Sequence, residues 1–359
     1  MTRKLWFQVG VGILLSLLII KFVVEVNWVF SPILVVLQTI FIPLLLSGVL
    51  FYIAVPIQTF LENKKVPRWG SISIIFLLLI AVIWVAIAIV GPPITEQVNN
   101  LIINAPMIVQ EVNQFFIQLL EQTGSLPKWA KESIDGATEY LNTITVQFGK
   151  WVVQFLQSVI QGTIILVLVP FFLIFMLKDH EKFVPFVTQF FSGETKKWLI
   201  KTLKDIDDVL SLYIRGQVLI STILATLLFI GYLIIGLNFA LLLSVFALFM
   251  NIIPFIGPWI AFIPALLIGF FQDPMMVVWV SLTTLIAQQI DSNLITPNVM
   301  GKTLNIHPLT IITILFAAGS LAGFFGILLA VPGYAVGKAI ISNVYDKRKA
   351  IKEAANKTM

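Results

Sequence analysis

"NIIPFIGPWIAFIP", Asn251 to Pro264, places three prolines and a glycine inside an apolar run that reaches from Phe239 to Phe271. Proline withholds a backbone donor, and a carbonyl freed inside hydrocarbon must be satisfied by protein or by water. A break of this kind belongs in a protein interior or beside a water-filled path. The run is 33 residues long, about 50 Å if helical at roughly 1.5 Å per residue. That is too long for an upright span of about 30 Å and too short for two full spans with a turn. Two half-helices meeting at "PFIGP" fit the length.

The rest of the chain has the composition such a run requires. It is 58% hydrophobic and 11% charged, with 29 Phe and 9 Trp, and its mean hydropathy is +0.98. Soluble domains carry roughly 25% charged residues, so the chain reads as an integral membrane protein. Apolar runs occur at 5–20, 28–61, 72–90, 151–177, 218–237, 239–271, 275–290 and 309–345. Most of them reach the ~18 residues that a membrane helix needs. The first follows Arg3 and Lys4 without a clear small-residue cleavage site, as an uncleaved anchor does. The fold class expected is all-α and polytopic. It has about six full transmembrane helices plus two proline- and glycine-broken re-entrant hairpins, with eight full spans as the alternative.

Basic residues flank the spans, which sets orientation. Arg3 and Lys4, then Lys64, Lys65 and Arg68, then the tail with Lys338, Lys347, Arg348, Lys349, Lys352 and Lys357 mark cytoplasmic ends. Residues 93–149 hold Lys128 and Lys131 against Glu96, Glu111, Glu121, Glu132, Asp135 and Glu139, so this loop is expected outside. The segment 178–217, with basic residues from Lys178 to Arg215, is expected inside. The division that follows is N-terminal membrane helices at 1–92, extracytoplasmic amphipathic helices at 93–150 and a membrane helix at 151–177. A cytoplasmic helical linker at 178–217, a C-terminal transport region at 218–345 and a basic cytoplasmic tail at 346–359 complete it.

In the outer loop Val98, Leu101, Ile102, Ile108, Val112, Phe115, Phe116 and Leu119 recur near helical spacing, with a break around "TGSLPKWA". Two amphipathic helices at the outer leaflet are expected, packing on each other or on a neighbouring subunit. In the linker Ser192 stands where a helix cap would. Asp205, Asp207 and Asp208 do not share one helical face, which favours a solvated surface over a metal site.

The final run repeats the anomaly of the first, with Gly319, Gly323 and Gly326 in its middle and Pro332 and Gly333 beyond. Two interrupted segments point to a transport site at the membrane midplane; kinked but complete spans are the other reading. Between the two, "AQQIDSNLITPNVMGKTLNIHP" gathers Gln288, Gln289, Asp291, Ser292, Asn293 and Asn298 near the end of a membrane segment. An ionisable group there is a functional candidate by default, and oxygen-rich side chains suit a hard cation or a hydroxylated solute. Helix capping by Asp291 or Asn293 is the structural alternative, and His307 before Pro308 has the place of a helix-start residue. Lys302 favours a cytoplasmic 291–307 loop, as paired hairpins require.

"YIRGQ" (213–217), "NIIPFIGPWIAFIPA" (251–265), "SNLITPNVMGKTLNIHPL" (292–309) and "GFFGILLAVPGYA" (323–335) resemble, in order, the signature blocks of the autoinducer-2 exporter family, the PerM-like permeases. The resemblance covers nearly the whole chain and is specific from about Lys178 onward. It implies a secondary transporter of the bacterial cytoplasmic membrane, either exporting an autoinducer-2-like solute or exchanging sodium or lithium for protons. Carried residue by residue, the positions it implies are Arg215, Gly216, Gln217, Pro254, Gly257, Pro258, Asn293, Pro297, Gly301, Pro308, Gly323, Gly326 and Pro332. Asn251, Gln288, Gln289, Asp291 and Asn298 join them from the reading of the polar cluster and of the opening motif. "WIAFIP" stands where glycine is frequent in the family, so a less close backbone approach is expected at Trp259.

Other classes fare poorly. With no cysteine there is no disulfide, thiol nucleophile or thiolate-bound metal. The pI near 9.3 comes without a basic stripe interleaved with aromatics, so nucleic acid is not an expected partner. No HExxH, GxSxG, paired intramembrane aspartates or GxxxxGK[ST] loop is present, so no catalytic residue, metal, cofactor or direct ATP drive is expected. The expected partners are the lipid bilayer, a small polar solute or a monovalent cation with protons, and further copies of the chain. A non-transporting structural or regulatory membrane protein is the rival class.

Overall fold

The computed structural model describes residues 5–100, 103, 163–301 and 306–357. Among these every regular element is helical. The outer-loop helices expected at 93–150 lie outside the described residues beyond position 100, apart from 103, as do the start of the run from Trp151 and Lys302. Four described helices are long and apolar enough to cross a membrane: Thr39–Asn63, Arg68–Asn100, Gly193–Ile234 and Leu309–Lys349.

The chain divides into two compact units. The first comprises Met1–Phe51 with Gly162–Lys178. It holds α1 (Leu5–Glu25), most of α2 (Asn27–Asn63) and the first part of α4 (Thr163–Thr188). Pro43, Ser47, Phe51, Leu173 and Leu177 are buried among its described residues, and the Ser47 hydroxyl lies 2.6 Å from the Pro43 carbonyl and 2.9 Å from that of Val169. Leu14, Leu17 and Ile19 on α1 are more than half exposed, the surface expected of a helix that meets lipid tails.

The second unit, Tyr52–Gln161 with Asp179–Met359, carries most of the packing. Here α3 begins at Arg68, passes through a π-turn at Ala86–Val90 and runs on to Asn100. The spine is α5 (Gly193–Ile234), 42 residues long. Ser192 occupies its N-cap position without a side-chain cap bond. α5 crosses position 217, the expected end of the 178–217 linker, without a break. It ends cleanly instead: Gly236 takes φ +69, its N–H donates to Leu233 and that of Leu237 donates to Tyr232, the Schellman pattern that a glycine permits.

Against α5 packs α6 (Ala240–Met250); α7 (Ile256–Gln272) lies on α6, and α8 (Met276–Ile290) packs on both α7 and α5, followed by a π-turn at Asp291–Ile295 and the short α9 (Thr296–Met300). The run from Phe239 to Phe271 is therefore two short helices in contact, as its length requires. Pro254 sits in the break itself. Pro258 occupies the first turn of α7, where no donor is needed, and Pro264 lies inside that helix. The Gln272 amide closes the base of this hairpin, donating to the Gly236 carbonyl and accepting from the Asn238 N–H. Gln97 of α3 accepts from the Leu242 N–H at the start of α6.

The last element, α10 (Pro308–Lys357), is helical on both sides of a sharp break at Ala322 (φ −136) and Gly323 (φ +57). The expected interruption is therefore at the glycines. Pro332 and Gly333, which the sequence offered as further breakers, lie within the second helical arm. On the α5 surface, Ile253 of the first hairpin meets Ile311, Leu315, Ala330 and Val331 of the second in one apolar cluster with Tyr213, Ile220, Ile295 and Met300.

Candidate functional site

The seam on α5 begins with Gln217, which is buried and donates through Nε2 to the Asn251 carbonyl at 2.6 Å. Asn251 is the last residue before the break and is 4% exposed. Ser221 lies one turn along α5 from Gln217, and its buried hydroxyl has no hydrogen-bond partner among the described residues. Further along the same helix, the Tyr232 hydroxyl lies 3.4 Å from Thr284 of α8. Asn251, Tyr232, Thr284 and Gln288 border one small cavity beside Pro258. Neutral amides and hydroxyls thus converge where the hairpin tip meets α5 and α8.

Both hairpins close in the same way. A Cβ on Gly257 would collide with the Met250 carbonyl oxygen and sit 2.7 Å from its carbon. A Cβ on Gly326 would collide with the Ala318 carbonyl oxygen and sit 2.7 Å from its carbon. Only glycine lets the returning helix come that near to the departing one. Elsewhere in the seam Gly231 leaves room for Thr283, so that α8 approaches α5 closely enough to bring Thr284 to Tyr232.

The polar cluster of 288–298 does not act as one group. Gln288 turns to the cavity, while its neighbour Gln289 faces outward among Leu282, Leu285 and Ile286. Asn293 is exposed and spends its amide on Gln289, donating to the backbone carbonyl at 3.0 Å and to Oε1 at 2.8 Å. These bonds satisfy a carbonyl next to the π-turn, a helix irregularity that often marks functional segments. Asp291 is half-buried and accepts from the Thr296 hydroxyl at 2.8 Å. Asn298 is exposed and donates to the Leu294 carbonyl. Pro297 stands in the first turn of α9, and Gly301, at φ +58, ends it. The His307 ring nitrogen Nδ1 accepts from the Leu309 N–H, a helix-start bond at the beginning of α10.

A family model described as AI-2E family transporter matches residues 12–346. The chain belongs to the AI-2E family. Among similar proteins, "Putative transport protein YueF" of Bacillus subtilis (strain 168) is 37% identical over 92% of this chain and 91% of its own. "Putative transport protein YrrI" of the same organism is 31% identical over 94% and 95%. "Putative permease PerM" of Escherichia coli (strain K12) is 28% identical over 83% and 86%.

Within this AI-2E chain the three motif residues before the seam part company. Gln217 holds the first hairpin, whereas Gly216 gives room to Met300 of α9, 3.1 Å from where its Cβ would stand. Arg215 reaches elsewhere, donating from Nε to the Tyr52 carbonyl at 2.6 Å, and the Tyr52 hydroxyl donates to Asp207 at 2.9 Å. Asp205 instead accepts from the Asn343 amide. Asn343 in turn accepts from Trp198, over whose ring Lys347 stands at 4.6 Å. Sequence reasoning missed Tyr232, Thr284, Ser221 and Gly231. The signal for the α5 set was the spacing Gln217, Ser221, Leu224, Leu228, Tyr232, which keeps to one helical face.

Proposed function

We propose that this AI-2E protein is a secondary transporter of the bacterial cytoplasmic membrane that carries a small polar solute past the tip of its first hairpin. The observation that carries the reading is the Gln217-to-Asn251 bond at a helix break lined by neutral amides and hydroxyls. Broken helices in the hydrophobic zone are tolerated only where protein buries the freed carbonyls or a water-filled cavity meets them, and paired breaks are typical of transport sites. The pathway residues are Asn251, Pro254, Gly257, Pro258 and Gln288 around the first tip. Gln289, Asp291, Asn293, Pro297, Asn298 and Gly301 form the π-turn segment, and Pro308, Gly323, Gly326 and Pro332 belong to the second hairpin. The two hairpins enter from opposite faces, movement against α5 gives alternating access, and both termini are cytoplasmic. Residues 1–92, the outer helices of 93–150 and the helix at 151–177 serve as scaffold and as contacts between copies.

The neutral lining favours an uncharged, hydroxylated solute of the autoinducer-2 kind, and Asp291 is the group through which protons, sodium or lithium would be coupled. The test is reconstitution of the purified chain in vesicles. Efflux of a labelled polar solute above empty vesicles is expected, and Asp291→Asn is expected to suppress its dependence on an ion gradient while assembly stays intact. Sodium-driven proton movement without solute efflux would replace the solute reading with antiport. No flux of either kind would leave the chain a structural or regulatory membrane protein.

A further inference from the structure

Asn251 poses a problem that its surroundings do not solve. Its side chain is buried, and neither Nδ2 nor Oδ1 has a hydrogen-bond partner among the described residues. A stranded amide in an apolar seam is costly, and native folds pair such groups with protein or with water. The cavity it faces measures about 10 Å³ with a water-sized sphere, room for about one water molecule and for no organic solute. Its polar walls are the Tyr232 and Thr284 hydroxyls and the Gln288 amide, and among the described residues no ionisable carboxylate or amine borders it.

The chemistry of the walls narrows the occupant further. An amide offers a donor and an acceptor side by side, so its partner must accept from Nδ2 or donate to Oδ1. A bare cation can do neither: it would engage Oδ1 alone, beside an NH2 group that repels it, with no anionic side chain to balance its charge. An anion would leave Oδ1 stranded. Water does both and can turn its remaining hydrogen bonds to Tyr232, Thr284 or Gln288.

We infer that this cavity is a binding site for a single water molecule, which bridges the first hairpin tip to α5 and α8 through Asn251. It acts beside the direct tie from Gln217 and completes the closure of the seam, because a water-mediated bond can be exchanged for another when the tip moves. The inference stands whether or not the solute passes at this point.

The test uses the full chain in lipid nanodiscs, imaged at a resolution that shows ordered water, once in sodium chloride and once in N-methylglucamine chloride. A density peak at hydrogen-bonding distance from the Asn251 amide is expected in both, and is expected to vanish in Asn251→Leu. A well-resolved map without the peak, or a peak that requires sodium, overturns the proposal. Thermal midpoints supply an independent sign. Asn251→Leu removes two stranded polar atoms if no water binds and should then melt higher; with the bridge lost it should melt a few degrees lower. Thr284→Val, which takes away one wall hydroxyl at constant shape, should lower the midpoint by less, and it reads the same bridge if Asn251→Leu fails to assemble. A raised midpoint in either variant refutes the bridge.

Discussion

The two hairpins close on the same device and then diverge. Each has a glycine, Gly257 or Gly326, set against a carbonyl of the opposite arm. The first tip is buried where it begins, with Asn251 4% and Ile253 3% exposed and Gln217 bound to the backbone there, and opens only at Phe255, 47% exposed. The second tip stands clear, with Leu321 87% exposed and the turn made by Gly323 at φ +57. The first turn instead forces Phe255, a residue with a Cβ, to φ +65, a conformation that surrounding contacts must hold in place. Close approach of the arms makes a hairpin and both hairpins pack on α5, whereas docking of the tip itself distinguishes one from the other. Only the docked tip offers a polar seam.

The comparison breaks outright if the two hairpins do not enter from opposite faces, and the outcome is all or none. With no native cysteine, a single His307→Cys chain in intact cells should resist a membrane-impermeant thiol reagent and react once the membrane is opened. Ser125→Cys, in the loop expected outside, should react in both conditions, and Lys64→Cys should behave as His307→Cys does. Labelling of His307→Cys from outside would leave eight full spans and remove the pairing.

Next in size are the glycines. Gly257→Leu should overcrowd the junction by several atoms and abolish flux, and Gly326→Leu should do the same at the other tip. Overpacking of this kind costs about 1–3 kcal/mol or more, read as loss of monodisperse protein in detergent. Even alanine places its Cβ on the opposing carbonyl, so full flux from Gly257→Ala would refute the close crossing. The asymmetry between tips then appears one step lower. Gln217→Leu cuts the tie to the first tip and should slow transport roughly tenfold, the kinetic equivalent of about 1.4 kcal/mol from one buried hydrogen bond. Leu321→Ser at the second tip should change neither flux nor stability by more than about 0.5 kcal/mol. Equal effects of these two substitutions would erase the distinction drawn between the hairpins.

Much of this was legible in the residues. The length of the run and its prolines located the first break, since no helix of that length fits a bilayer upright. Gly323 marked the second. What stayed hidden was facing. Gln288 and Gln289 are neighbours in sequence, yet a helix turns about 100° per residue, and one faces the cavity while the other faces the outside. Thr284 and Tyr232 meet only because α8 approaches α5 at Gly231, a contact between positions far apart in the chain that no local pattern encodes. Pro332 misled for a related reason: a proline among buried neighbours is accommodated inside a helix when packing supports both arms, and Pro332 is buried.

The smallest effect expected lies away from both tips, and that is its use. Neither Asn251–Pro258 nor Ala317–Ile327 contains an ionisable side chain, so acid should not distinguish the hairpins. It should act at the start of α3, where Arg68 Nη1 donates to Glu181 at 3.1 Å. That hydrogen bond, with the guanidinium charge, holds the Glu181 carboxyl below its ordinary range. A carboxylate lowered in the folded state stabilises above its unfolded value, and the contribution fades as pH falls through the folded one. The Glu181 side chain is 68% exposed, so solvent screening limits the gain to less than about 0.5 kcal/mol. Thermal midpoints of the unmodified chain and of Glu181→Gln should therefore differ slightly at pH 7, begin to converge near the free glutamate value of about 4.3 and coincide only once the pH is below the lowered folded value. Flux through Glu181→Gln should match the unmodified chain at both pH values. A pH-dependent loss of flux that survives in Glu181→Gln would move the titrating group elsewhere, and Asp291, between the two hairpins, would be the first residue to replace.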